Sequence, residues 1–278
     1  MSRNYLPGTQ IEILNDVERG KFKHALFDFD GTVSLLREGW PLVMGPLMIE
    51  KICGNTPPTP EIEEEVREFI DETTGIQTIL QMEGMVEKVR AHGLVPESEI
   101  LDAQGYKDIY NERLMKVVND RIRKLESGEM STESVTLRGA FDFLKGLSAR
   151  NLTMYIFSGT DRADVQNEAR LVGAAPYFTE IWGALRTYKE YNKEMVLREI
   201  ISKHGLHGSE VLIVGDGPVE IRNARDNGCV AVGVASDEVK GHGWNEEKRE
   251  RLVRAGADIM IPDFSEAEAL IGYLFPNG

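Results

Sequence analysis

The chain has 278 residues, of which 41% are hydrophobic and 28% charged, with a formal net charge of -14. That length suits one large domain or a domain carrying an insertion, with enough apolar residues for a real core. The acidic balance excludes nucleic-acid binding through a broad basic face, but a small anionic substrate needs only one local positive pocket or a metal ion between the charges.

Taken in chain order, the first expected strand is His24 to Phe29, and it runs into Leu26-Phe27-Asp28-Phe29-Asp30-Gly31-Thr32. Two carboxylates two apart on an extended chain project to the same side, and strand C-terminal ends are where open parallel sheets bind ligands. Asp30-Gly31 is equally a turn signal. From Leu36 to Ser131 the chain reads as helices, with Arg37 and Trp40 where it leaves the first strand. Thr56-Pro57-Pro58-Thr59-Pro60 breaks the chain before the acidic run Glu61 to Glu65, which reads as a solvated first helical turn favoured by the helix dipole. Ile76, Ile79, Leu80, Val86 and Val89 form one apolar stripe, and Ile109, Leu114, Val117, Val118, Ile122 and Leu125 a clearer one; Met82 and Met85 read as core filler.

Beyond the insert, Phe141, Leu144 and Leu147 share a helical face before a second strand, Leu152 to Phe157. Ser158-Gly159-Thr160 follows it, a hydroxyl and free amides that read as opening a helix and suit an anion. Lys193 opens a helix carrying Met195, Val196 and Ile200, which favours it over Lys189 as a site lysine. The third strand, Val211 to Val214, ends at Gly215-Asp216-Gly217, with Pro218 suited to a first helical turn and Glu220 on that turn. Gly228 caps the helix from Val219 to Asn227, and strands Val230 to Val234 and Ala257 to Ile261 complete the series. The runs are continuously apolar, as in a parallel sheet covered on both faces. Alternating with helices, they define a doubly wound α/β core, residues 1–35 and 132–278, carrying an all-helical cap at 36–131.

Singly, each candidate has an ordinary reading: Ser158 an N-cap, Lys193 a surface lysine, Asp216 a turn residue. Together, acids, a hydroxyl and a lysine at corresponding strand ends point to one site. His204 and His207 form no cluster and read as structural. Cys53 and Cys229 are far apart and in no C-x-x-C arrangement, no run approaches the roughly 18 apolar residues of a membrane span, and no signal segment is seen. A cytoplasmic protein without disulfides is expected.

The order DFDGT, apolar run into Ser158, Lys193, then VGDGPVE resembles the four motifs of the haloacid dehalogenase superfamily. The likeness spans the core from about Phe22 to Ile261, and a helical insert between the first two motifs resembles the branch of phosphoglycolate phosphatase-like enzymes and β-phosphoglucomutase. The resemblance implies a Rossmann-like core and a magnesium-dependent phosphatase of a small phosphorylated metabolite. In it Asp28 is the nucleophile forming an aspartyl-phosphate and Asp30 the acid–base. Ser158, Gly159 and Thr160 hold phosphoryl oxygens, Lys193 neutralises charge, and Asp28, the Asp30 carbonyl and Asp216 hold Mg2+. Glu220 stands where the family usually has Asp, and is expected to act on the ion through a bound water. Arg37 is expected to meet a second anionic group of the substrate. A sugar phosphomutase, or a phosphate-binding relative without turnover, is the alternative; dehalogenation is disfavoured by the acid at Asp30.

Overall fold

The computed structural model describes residues 3–185 and 192–276. Lys189, the alternative site lysine, lies outside the described residues. The five apolar runs all become strands: β2 (His24–Phe27), β3 (Thr153–Asp161), β5 (Val211–Gly215), β6 (Val230–Val234) and β7 (Ile259–Ile261). Two further strands, β1 (Glu12–Ile13) and β4 (Glu180–Ala184), were not expected and form the two edges. Among the described residues the sheet has seven strands in the order β1-β7-β6-β5-β2-β3-β4, all parallel except β1.

Alternation along β2 splits the core. Ala25 and Phe27 point into one layer, with Phe143, Leu144 and Leu147 of α5 (Ala140–Ser148) and Val165 of α6 (Arg162–Leu171). Leu26 points into the other, with Val196 and Ile200 of α7 (Lys193–His204) and Ile221 of α8 (Pro218–Asp226). Helix α9 (Glu246–Ala255) joins this second layer through Leu252, and α10 (Ala267–Leu274) the first through Leu270.

Between β2 and α5 the chain forms α1 (Trp40–Cys53), α2 (Pro60–Thr73), α3 (Thr78–His92) and α4 (Ala103–Glu126), with an apolar core of their own. Thr59 caps α2 by accepting from the Ile62 N–H, and Glu61 and Glu63 occupy its first turn. Met82 and Met85 are core filler, both fully buried. On α4 the buried face runs through Tyr106, Tyr110, Leu114 and Val118, while Val117 is exposed. The aromatic Tyr106 and Tyr110 extend that face one helical turn at a time, so an all-aliphatic stripe overstates Val117. No helix among the described residues is long and apolar enough to cross a membrane.

Candidate active site

The strand order places β5, β2 and β3 side by side, so their C-terminal ends meet. β2 ends at Phe27, and the Asp28 N–H still donates to the Val214 carbonyl (2.9 Å), which fixes Asp28 at the C-terminal end of this central strand. The chain then turns tightly: Val33 and Ser34 N–H both donate to the Phe29 carbonyl (2.9 Å). Gly31 takes φ +73°, and a Cβ there would lie 2.4 Å from Asp216 Oδ2. Only glycine meets both conditions.

Each carboxylate is held from a different element. Asp28 Oδ1 accepts from the Phe29 N–H (2.9 Å), and Oδ2 lies 3.1 Å from Lys193 Nζ. Lys193 is the first residue of α7, whose N-cap Asn192 accepts from the Met195 N–H (2.8 Å). Its ammonium also donates to Glu220 Oε2 (3.0 Å). Pro218 does open α8, and Glu220 closes a capping interaction there, its Oε1 accepting from the Gly217 N–H (2.8 Å). Glu220 thus has both oxygens engaged and is 0% exposed. The sequence reading gave it neither of these partners.

β3 runs on through Ser158, Gly159 and Thr160 to Asp161, and α6 starts only at Arg162. The expected helix opening at Ser158 is therefore corrected: pairing with β4, which resumes at Asp161 after a register shift beyond Phe157, keeps the chain extended. Ser158 Oγ accepts from the Thr160 N–H (3.0 Å), and Thr160 Oγ1 donates to Asp30 Oδ2 (2.7 Å). The other oxygen, Asp30 Oδ1, is buried with no hydrogen-bond partner among the described residues. Above them sits the loop joining α2 to α3. A Cβ on Gly159 would lie 2.3 Å from the Ile76 carbonyl oxygen, so glycine permits that close approach. The cavity between them, about 70 Å³, is lined by Asp28, Asp30, Ser158, Gly159, Thr160 and Asp216 below and by Trp40, Gly75, Gln81 and Tyr110 above.

Arg37 also lines this cavity. Its Nε and Nη2 are held by Glu168 (2.6–3.1 Å), and Nη2 also meets Asp164 (3.2 Å). Two carboxylates therefore already offset the charge expected to meet a substrate anion. Ion pairs tie the helical segment to the rest of the fold, Lys107 of α4 to Asp161 at the end of β3 (2.6 Å) and Asp71 of α2 to Arg251 of α9 (2.5 Å).

Burial pushes the Asp28 carboxyl well above its ordinary value, Lys193 opposing and Glu220 and Asp216 reinforcing the rise. Burial likewise raises Asp30, against Arg37 and the Thr160 hydrogen bond. Glu168 is pushed up to about 7 by burial, with Arg37 pulling it down. Asp216 is joined by partners absent from the sequence reading: Lys248 Nζ donates to its Oδ2 (2.8 Å) and to Glu238 Oε1 (2.5 Å), and Thr32 Oγ1 to its Oδ1 (3.3 Å).

Carboxylate oxygens of Asp28, Asp216 and Glu220 lie within 4.8 Å of one another. An all-oxygen, strongly anionic donor set fits a hard divalent cation such as Mg2+ rather than a soft metal.

Residues 25–234 match the haloacid dehalogenase-like hydrolase family. No curated protein matches the chain. Among solved structures, a predicted phosphoglycolate phosphatase from Haemophilus somnus is similar at 17% identity and TM-score 0.59, over 90% of this chain and 98% of that one. A predicted phosphatase from Clostridium acetobutylicum is similar at 16% and 0.58, over 91% and 99%. A β-phosphoglucomutase from Clostridium difficile is similar at 15% and 0.57, over 92% and 97%. These likenesses are of fold. With the family match covering most of the length, the chain belongs to the haloacid dehalogenase-like hydrolases.

Proposed function

We propose that the protein is a magnesium-dependent phosphatase of small phosphorylated metabolites, working through an aspartyl-phosphate on Asp28. The observation that carries this reading is the pairing of Asp28 with Asp30 in one small buried cavity, with Asp30 Oδ1 unpartnered. A Asp28 carboxylate oxygen bonds to phosphorus as the bond to the leaving oxygen breaks, and protonated Asp30 gives that oxygen its proton. Water then attacks phosphorus, Asp30 takes the water proton, and the bond to Asp28 breaks to release phosphate. Ser158 and the neighbouring backbone amides hold phosphoryl oxygens, and Lys193 offsets charge on Asp28 and the phosphoryl group.

Mg2+ would be held by Asp28, the Asp30 carbonyl and Asp216, with Glu220 acting through a bound water; the ion supplies charge neutralisation between carboxylate and phosphate. Glu220→Gln keeps an acceptor for the Gly217 N–H but removes the charge facing Lys193. The magnesium concentration for half-maximal activity should rise about ten- to a hundredfold, the usual scale for groups behind the ligands. An unchanged magnesium titration would reduce Glu220 to a helix-start residue.

Helices α1–α4 would act as a cap that excludes water during transfer. The cavity's 70 Å³ is the room of about five waters, below a typical ligand pocket of roughly 300 Å³ or more, which favours a small ester over a hexose. A sugar phosphomutase, returning the phosphoryl group to sugar, is the second reading. Cys53 and Cys229 are both buried and unpaired, in keeping with a cytoplasmic setting.

A screen of phosphorylated metabolites for phosphate release, with and without Mg2+, tests the reading. Magnesium-dependent release from a small ester supports it. Sugar-phosphate interconversion primed by a bisphosphate, without net release, would replace it with the mutase. For Asp30→Asn the rate with an alkyl phosphate should fall about a hundred- to ten-thousandfold. With an aryl phosphate, whose leaving group needs no proton, the loss in the first step should be smaller. Equal losses with both would remove Asp30 from the acid role.

A further inference from the structure

Lys248 and Glu238 come from a stretch outside the family's four motifs, yet they end beside the second carboxylate of the site. The local sequence explains how. Asn245 caps α9 by accepting from the Lys248 N–H (3.0 Å), which fixes the helix start and aims the lysine back at the strand ends. Lys248 is buried, with its Nζ 2.8 Å from Asp216 Oδ2 and 2.5 Å from Glu238 Oε1. The triad packs under the nucleophile turn: a Cβ on Gly31 would meet Asp216 Oδ2 at 2.4 Å and Glu238 Oε1 at 3.1 Å. A buried ammonium held by one carboxylate alone would repel a cation bound to that carboxylate. Glu238 supplies the second negative charge, so the lysine can grip Asp216 without making the site hostile to Mg2+.

We propose that Lys248 and Glu238 are positioning residues that hold Asp216 by one oxygen and present the other to the magnesium ion. This rests on Asp216 being the metal carboxylate of the proposed phosphatase. Mg2+ tolerates little departure from an octahedron and takes few protein ligands. A carboxylate free to rotate, or to chelate through both oxygens, would meet that requirement less well. With Oδ2 held by Lys248, the remaining oxygen, Oδ1, carries only the long Thr32 contact of 3.3 Å.

The test is Mg2+ binding to the full-length protein by titration calorimetry, alongside the melting temperature without metal. Two variants are compared with wild type: Glu238→Gln, and the charge-matched double variant Lys248→Met with Glu238→Gln, which leaves neither of that pair buried alone. Both should bind Mg2+ about ten- to a hundredfold more weakly than wild type. Unchanged affinity with a lowered metal-free melting temperature would make the pair merely structural and overturn the proposal. Tighter binding by the double variant would also overturn it, showing that Lys248 competes with the ion for Asp216. A wild-type protein that binds no Mg2+ would instead overturn the reading of Asp216, and this inference with it.

Discussion

Asp28→Asn should remove turnover by about a millionfold, the scale on which enzymes respond to loss of a covalent nucleophile, while leaving the fold intact. The amide is nearly isosteric, and its oxygen can still accept from the Phe29 N–H now 2.9 Å from Asp28 Oδ1. Stability should hold or rise, because burial already disfavours the ionised Asp28 carboxyl and the amide escapes that cost. Steady-state phosphate release and thermal melting read the two halves separately. More than a tenth of wild-type activity, with deamidation excluded, would mean that another group attacks phosphorus.

Lys193→Met is the second large effect, and it falls on stability as well as rate. The ammonium sits 3.1 Å from Asp28 and 3.0 Å from Glu220 and is 4% exposed. Removing one partner of a buried ion pair typically costs about 3–5 kcal/mol. Protonation of Asp28, already pushed upward, would soften that cost in the metal-free protein. Turnover should disappear. Adding Glu220→Gln should restore much of the stability and none of the turnover, since the amide no longer needs a cation. Denaturant unfolding of both variants checks this. A Lys193→Met protein as stable as wild type would place the lysine outside the buried network.

Much of the fold was legible because a covered parallel sheet writes itself as continuous apolar runs. Leu212 to Val214 and Val230 to Val234 are buried at every residue, and no polar position breaks the pattern. The edge strands escaped for the opposite reason. β1 has two residues, one of them Glu12, whose buried carboxylate is paired with Arg249 (2.5–2.7 Å), and a charge reads as surface. β4, Glu180–Ala184, is half-buried over its first three residues and includes Gly183, so it carries no strong strand signature. The overlong β3 was missed because Ser158-Gly159-Thr160 has the composition of a helix start, while pairing with β4 keeps it extended.

The strand-end carboxylates were legible through motif spacing, and their partners were not. Lys248 lies in Asn245-Glu246-Glu247-Lys248-Arg249-Glu250, a run that reads as a solvated helix face, although its ammonium is buried against Asp216. Arg37 was noticed for its position at the mouth of the insert. Its bidentate hold on Glu168 depends on α6 lying beside it, which no local pattern reports. Tyr110, in the cavity wall, reads in sequence as one more residue of an amphipathic helix.

The most direct test of the covalent step uses Asp30→Asn, in which hydrolysis of the intermediate should be slowed. The protein is mixed with Mg2+ and an aryl phosphate, acid-quenched within milliseconds to seconds, reduced with borohydride and mapped by mass spectrometry. An aspartyl-phosphate on Asp28 predicts conversion of that residue, and no other, to homoserine, with none in the absence of Mg2+. Burst release of the aryl group with no conversion at Asp28, or conversion at a different carboxylate, would contradict the proposal.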